Sequence, residues 1–168
     1  MRGAALALSG VLALAAGACD NKAPSDVGPD PGARAAPAAP AGKMRVTPAP
    51  ATGDVQDLVR DALARATTER RRVVVYVGAT WCEPCKRFHH AAEAGELDAT
   101  FPDVTLLEFD LDRDNERLAL AGYVSRLIPL FALPATDGRA SGQQVEGGIK
   151  GDGAVAYMAP RLKSLLAQ

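Results

Sequence analysis

Val73-Val74-Val75-Tyr76-Val77 constrains this chain most, because it runs through Gly78-Ala79-Thr80 directly into Trp81-Cys82-Glu83-Pro84-Cys85. An unbroken β-branched and aromatic run fits a strand buried on both faces, as in the middle of a sheet covered by helices. Such a strand needs a partner on each edge and a layer on each side. It therefore points to an α/β domain and away from an all-helical one. The two cysteines fall where the strand has ended and a helix begins. Pro84 suits a first helical turn, where its missing N–H costs nothing. Phe88, Ala91, Ala92 and Leu97 recur as the inward positions of that helix.

The remaining elements follow from periodicity. Val55, Leu58, Val59, Ala62, Leu63 and Ala66 give one apolar helical face, with Asp54 placed to cap its start and Arg70, Arg71 and Arg72 at its solvated end. Val104 to Phe109 predicts a second central strand and Asn115 to Val124 a short helix. Leu130 to Leu133 predicts a strand started by Pro129. Gly138 marks a turn, Gln143 to Ile149 a strand, and Val155 to Leu166 an amphipathic helix interrupted by Pro160. The order is helix, strand, helix, strand, helix, strand, strand, helix. It predicts an α/β domain over residues 54–168, with a central mixed β-sheet flanked by helices.

Upstream, the chain has the features of an export signal and a tether. Arg2 precedes an apolar run from Ala4 to Ala16, shorter than the roughly 20 residues a transmembrane helix needs. Ala16-Gly17-Ala18 offers small residues where a signal peptidase cuts, so 1–18 is expected to be a signal peptide. The next residue is Cys19. Small residues before a cysteine resemble the lipobox of bacterial lipoproteins, although Ala16 stands where that motif usually has Leu. Lipidation of Cys19 is the expectation, with ordinary cleavage at the same bond as the alternative. Residues 20–53 carry seven prolines and no apolar periodicity. That pattern predicts a tether without fixed structure, with an r.m.s. span on the order of 30 Å. The expected location is the periplasmic side of the bacterial cell envelope, lipid-anchored to a membrane. With 19 basic and 20 acidic residues and 5% aromatics, the composition supplies neither the basic field nor the stacking residues of a nucleic-acid binder.

The chemistry lies in Cys82 and Cys85. Their spacing lets the sulfurs close a disulfide or open to a dithiol with little backbone motion. A helix N-terminus carries unpaired N–H groups and partial positive charge, which favour thiolate at the first cysteine. Cys82 is therefore expected to be the exposed nucleophile that forms a mixed disulfide. Cys85, one turn in and more buried, is expected to resolve it. Glu83 opposes thiolate formation by charge, whereas Lys86 and Arg87 favour it.

Trp81-Cys82-Glu83-Pro84-Cys85-Lys86 after an apolar strand resembles the active site of the thioredoxin superfamily. Ser125-Arg126-Leu127-Ile128-Pro129-Leu130 resembles its Ile-Pro segment, whose proline is cis and faces the cysteines. Asp110-Leu111-Asp112 with a short helix ending at Tyr123 is similar to the middle section. Gly147-Gly148 lies near the glycine of the loop that borders the substrate groove. The resemblance covers residues 54–168. It implies a thioredoxin fold and thiol–disulfide oxidoreductase activity at Cys82 and Cys85. It also implies a groove formed by Trp81, Glu83, Pro84, Ile128, Pro129 and Gly147. The partners it implies are protein thiols or disulfides and an upstream electron donor or acceptor, met as a monomer, with no cofactor and no nucleic acid. The Cys-Glu-Pro-Cys variant is also seen in membrane-tethered proteins of cytochrome c maturation. The stretch from Asp110 to Ile128 is too short for the strand–helix insert of those proteins.

Two departures matter. Tyr76 stands where classical thioredoxins bury an acidic residue, and His90 stands where they have a kink proline. A phenol, with an ordinary pKa of about 10, is a poor proton acceptor at neutral pH. Asp110 or Glu108 is the candidate replacement, since residues two apart on a strand share a face; the alternative is that water serves and both acids are solvated. Two other functions stay open: a copper or other metal chaperone using Cys82, Cys85 and His89, and a binding protein of the same fold with little turnover. His89 and His90 are otherwise exposed helix residues or tune the thiolate.

Overall fold

The computed structural model describes residues 42–168. The expected signal peptide, the Cys19 lipidation site and most of the expected tether lie outside the described residues. Among the described residues, no helix is long and apolar enough to cross a membrane.

Among the described residues, nine elements follow one another: β1 (Arg45–Pro48), α1 (Val55–Glu69), β2 (Arg72–Gly78), α2 (Glu83–Glu93), β3 (Val104–Asp110), α3 (Leu111–Leu120), β4 (Leu130–Pro134), β5 (Ala140–Glu146) and α4 (Ala154–Leu166). The five strands form one sheet in the order β1-β3-β2-β4-β5. Strand β3 runs parallel to both β1 and β2. The β2–β4 and β4–β5 pairs are antiparallel, so the sheet is mixed as expected.

The β2 run places it near the middle. Val74 and Tyr76 face one layer with Phe88, Leu106, Phe131, Met158 and Leu162. Val73, Val75 and Val77 face the other with Val55, Val59, Leu107 and Phe109. Alternation in one strand thus supplies two cores, one under α2 and α4 and one under α1 and α3. Helix α1 starts where Asp54 accepts the Asp57 N–H and stops at Arg70, whose φ of 55° is left-handed.

Three expectations are corrected. Part of the expected tether is structured: among residues 42–53, β1 pairs with β3 from Arg45↔Thr105 to Pro48↔Glu108. The segment is fastened by distant groups. The Arg71 guanidinium donates to the Lys43 and Val104 carbonyls and to the Thr105 hydroxyl, and the Asp98 carboxylate accepts the Met44 N–H at 2.9 Å. A side chain at Gly42 would meet the Pro102 carbonyl oxygen at 2.1 Å, so only glycine passes there. Pro48 is tolerated because β1 is an edge strand. Helix α3 begins at Leu111, not Asn115, because the Asp110 carboxylate accepts the N–H groups of Asp112 and Arg113 and nucleates the first turn there. Strand β5 runs three residues earlier than expected and ends before Gly147, whose φ of 76° turns the chain away.

Candidate active site

Cys82 sits at the end of the loop after β2 with extended backbone and caps α2. Its Sγ accepts the Cys85 N–H at 3.3 Å, and the Cys82 carbonyl accepts the Lys86 N–H. The two cysteines are joined as a disulfide with Cα atoms 5.3 Å apart. Pro84 occupies the first turn, where no N–H is needed. Opening this disulfide would release Cys82 sulfur at the positive end of a helix and beside a backbone donor, both of which favour thiolate.

The expected contrast in exposure between the cysteines is not present in the oxidised state. Cys82 is 4% exposed and Cys85 3%. Both cysteines pack in the same core cluster as Ala79.

Around this pair the sequence-distant motifs converge. The Ile128–Pro129 peptide is cis and leads into β4. The Pro129 carbonyl accepts the Gly147 N–H at 2.9 Å. Gly148 is wedged between them: an added Cβ would stand 2.9 Å from Pro84 Cβ and 3.4 Å from Pro129 Cδ. The Cys-x-x-Cys turn, the proline loop and the diglycine loop therefore form one surface, on the strand order described above. This is the thioredoxin fold. In that thioredoxin-type surface Trp81 is exposed, and its indole N–H donates to Asp112 at 2.9 Å, which fixes the ring's direction. Glu83 accepts from Arg87 at 2.8 Å and from the Gly151 N–H at 3.1 Å. These two bonds hold its carboxyl below the ordinary glutamate range and tie the diglycine loop to α2. Leu127 and Ile149 are exposed; Leu127 lies against Gly147 and Ile149 follows the diglycine pair. Neither was singled out in the sequence, because a lone apolar residue in a loop carries no periodic signal.

Similar solved structures are thioredoxins. Thioredoxin O1 of Arabidopsis thaliana in its oxidised state is 20% identical, covering 76% of this chain and 97% of that one with a TM-score of 0.45. Thioredoxin f of spinach chloroplast is 22% identical, covering 76% and 87% with a TM-score of 0.47. The thioredoxin of Trichomonas vaginalis is 20% identical, covering 74% and 96% with a TM-score of 0.43. No family model and no curated protein matches the sequence.

On the inner side of Cys85 lies a cleft of about 370 Å³, walled in part by Tyr76, Gly78, Cys85, Lys86, His89 and Glu108. The Tyr76 hydroxyl donates to the Cys85 carbonyl at 2.9 Å. Burial, and next the charge of Glu108, push its phenol upward, so it stays protonated and serves as a donor. The two candidate acids part company here. Asp110 also borders the cleft, but its carboxylate is occupied with the α3 N–H groups at 2.9 and 3.2 Å. Glu108 lies across from Tyr76 in the sheet register, and its Oε1 is 2.8 Å from His89 Nδ1. The other ring nitrogen, Nε2, is 3.2 Å from Glu93. His90 is exposed. Among the described residues, no three His, Cys, Asp or Glu side chains are grouped so as to hold a metal ion.

Proposed function

We propose that the chain is a thiol–disulfide oxidoreductase acting through Cys82 and Cys85. The observation that carries this is the Cys82–Cys85 disulfide at the N-terminus of α2, in a surface shared with cis-Pro129 and Gly148. In the reducing direction the Cys82 thiolate attacks a partner disulfide, one partner sulfur leaves as thiolate, and Cys82 is left in a mixed disulfide. The Cys85 thiolate then attacks Cys82 Sγ, closing the internal disulfide and expelling the second partner sulfur. The oxidising direction is the reverse. The groove of Trp81, Glu83, Pro84, Ile128, Pro129 and Gly147 receives the partner segment, with Leu127 and Ile149 adding apolar contact.

The proposal extends to location. The chain acts outside the bacterial cytoplasm, anchored by lipid on Cys19, and meets protein thiols as a monomer supplied by an upstream electron donor or acceptor. Its support is the sequence: the Ala4–Ala16 run, the small residues before Cys19 and the proline-rich segment after it. Reduction of insulin disulfides by the full chain, with dithiothreitol as electron source, tests the activity; loss of it in Cys82→Ser is expected. Release from the membrane fraction by Cys19→Ser tests the anchor.

A further inference from the structure

Resolution by Cys85 requires its thiol proton to leave a site that is 3% exposed. Tyr76, bonded to the Cys85 carbonyl, holds its own proton, as described above. The cleft beside Cys85 offers another route. Glu108 and His89 share its wall with Cys85, and a volume of about 370 Å³ leaves room for several waters. From Glu108 a chain of close contacts runs outward, 2.8 Å to His89 Nδ1 and 3.2 Å from His89 Nε2 to Glu93. Side-chain exposure rises along it, from 23% at Glu108 to 31% at His89 and 60% at Glu93.

We infer that Glu108, His89 and Glu93 form a proton relay between the Cys85 sulfur and bulk solvent. The inference rests on the redox reading of the cysteine pair and assigns its proton path. The Cys85 S–H gives its proton through cleft water to Glu108, which hands it on to His89 and Glu93. The resulting Cys85 thiolate attacks Cys82 Sγ; the new S–S bond forms as the bond to the partner sulfur breaks, and the partner leaves as thiolate. In the reverse direction the relay returns the proton. The charged groups facing it are Lys86 on α2, Arg113 on α3 and Asp110 at the end of β3, all of which border the cleft. Arg113 is bound to Asp114 at 2.8 Å, and Asp110 Oδ1 caps α3. Imidazole suits the middle position because one ring nitrogen can accept a proton while the other donates one.

The test uses the reduced full chain carrying Cys19→Ser, mixed with 5,5′-dithiobis(2-nitrobenzoate) in a stopped-flow spectrometer. The first released nitrothiolate reports attack by Cys82 and the second reports resolution by Cys85. In Glu108→Gln the second phase should slow at pH 7, on the order of 100-fold, the lower end of a general-base contribution. The first phase should be unchanged, which also certifies the fold. His89→Asn should slow the second phase as well, and the Glu108→Gln/His89→Asn pair should be no slower than the worse single change. Glu93→Gln, at the exposed end, should slow it less. Raising the pH should bring the variants' second phase back toward the parent's, since hydroxide then serves as an alternative acceptor for the Cys85 proton. Unchanged second phases in Glu108→Gln and His89→Asn would overturn the relay while leaving the redox reading intact. A parent protein with no second phase would overturn both.

Discussion

The Tyr76 hydroxyl donates to the Cys85 carbonyl oxygen at 2.9 Å, so the position from which a buried acid would be expected to draw a proton instead braces the backbone of the resolving cysteine. Tyr76→Phe removes that brace and nothing that titrates near neutral pH. It should lower stability by about 1 kcal/mol, the usual net worth of one hydrogen bond, as read from the denaturant midpoint. The pH profile of resolution should match the parent. A shifted profile would mean that the phenol takes part in proton transfer.

Gly148 is the contact between the diglycine loop and the two prolines. Gly148→Ala would place a methyl 2.9 Å from Pro84 and 3.1 Å from the Met158 sulfur. Overpacking of this kind costs about 1–3 kcal/mol, and the loop is the part free to move. Insulin reduction should fall several-fold, an order-of-magnitude expectation from displacing a positioning contact, with a smaller loss in thermal stability. Unaltered turnover would show that the loop does not shape the groove.

Asp114 is fully buried and bound by Arg113 and Arg117, each at 2.8 Å. Burial raises its carboxyl pKa, but the bonds from Arg113, Arg117 and the Asp110 N–H outweigh that and hold it below the ordinary aspartate value. A depressed folded pKa contributes stability above the unfolded value of about 3.9 and loses it as pH falls through the folded value. Asp114→Asn should therefore destabilise the fold at pH 7 by about 2–3 kcal/mol, less than the loss of a wholly buried pair because Arg113 is half exposed. The gap from the parent should narrow as pH drops below about 4. A constant gap across that range would show that charge is not the cause. The same arginines reach the Ala49, Pro50 and Gly53 carbonyls, so the segment after β1 should loosen too.

The β2 strand, the cysteine turn and the inward face of α2 were legible because each rests on a local pattern with one physical solution. Strand β1 was not. Its four residues include Pro48 and are too short to show a period, and their order comes from Arg71 and Asp98, far away in sequence. The start of α3 was not legible either, because Leu111 to Asn115 has weak helical preference, which the cap at Asp110 outweighs. Glu108 and Asp110 were both recognisable as candidate acids. What separates them, one capping a helix and the other meeting His89 across two elements, depends on register and helix rotation, which no short window of sequence carries.

In the proposed reaction partner sulfur bonds to Cys82, and Cys85 releases it. The most direct measurement incubates the full-length Cys85→Ser and Cys82→Ser variants with a disulfide-bonded peptide and locates the adduct by mass spectrometry of proteolytic fragments. A persistent mixed disulfide on Cys82 is expected in Cys85→Ser, and none on Cys85 in Cys82→Ser. Equal adducts on both cysteines, or none on Cys82, would contradict it.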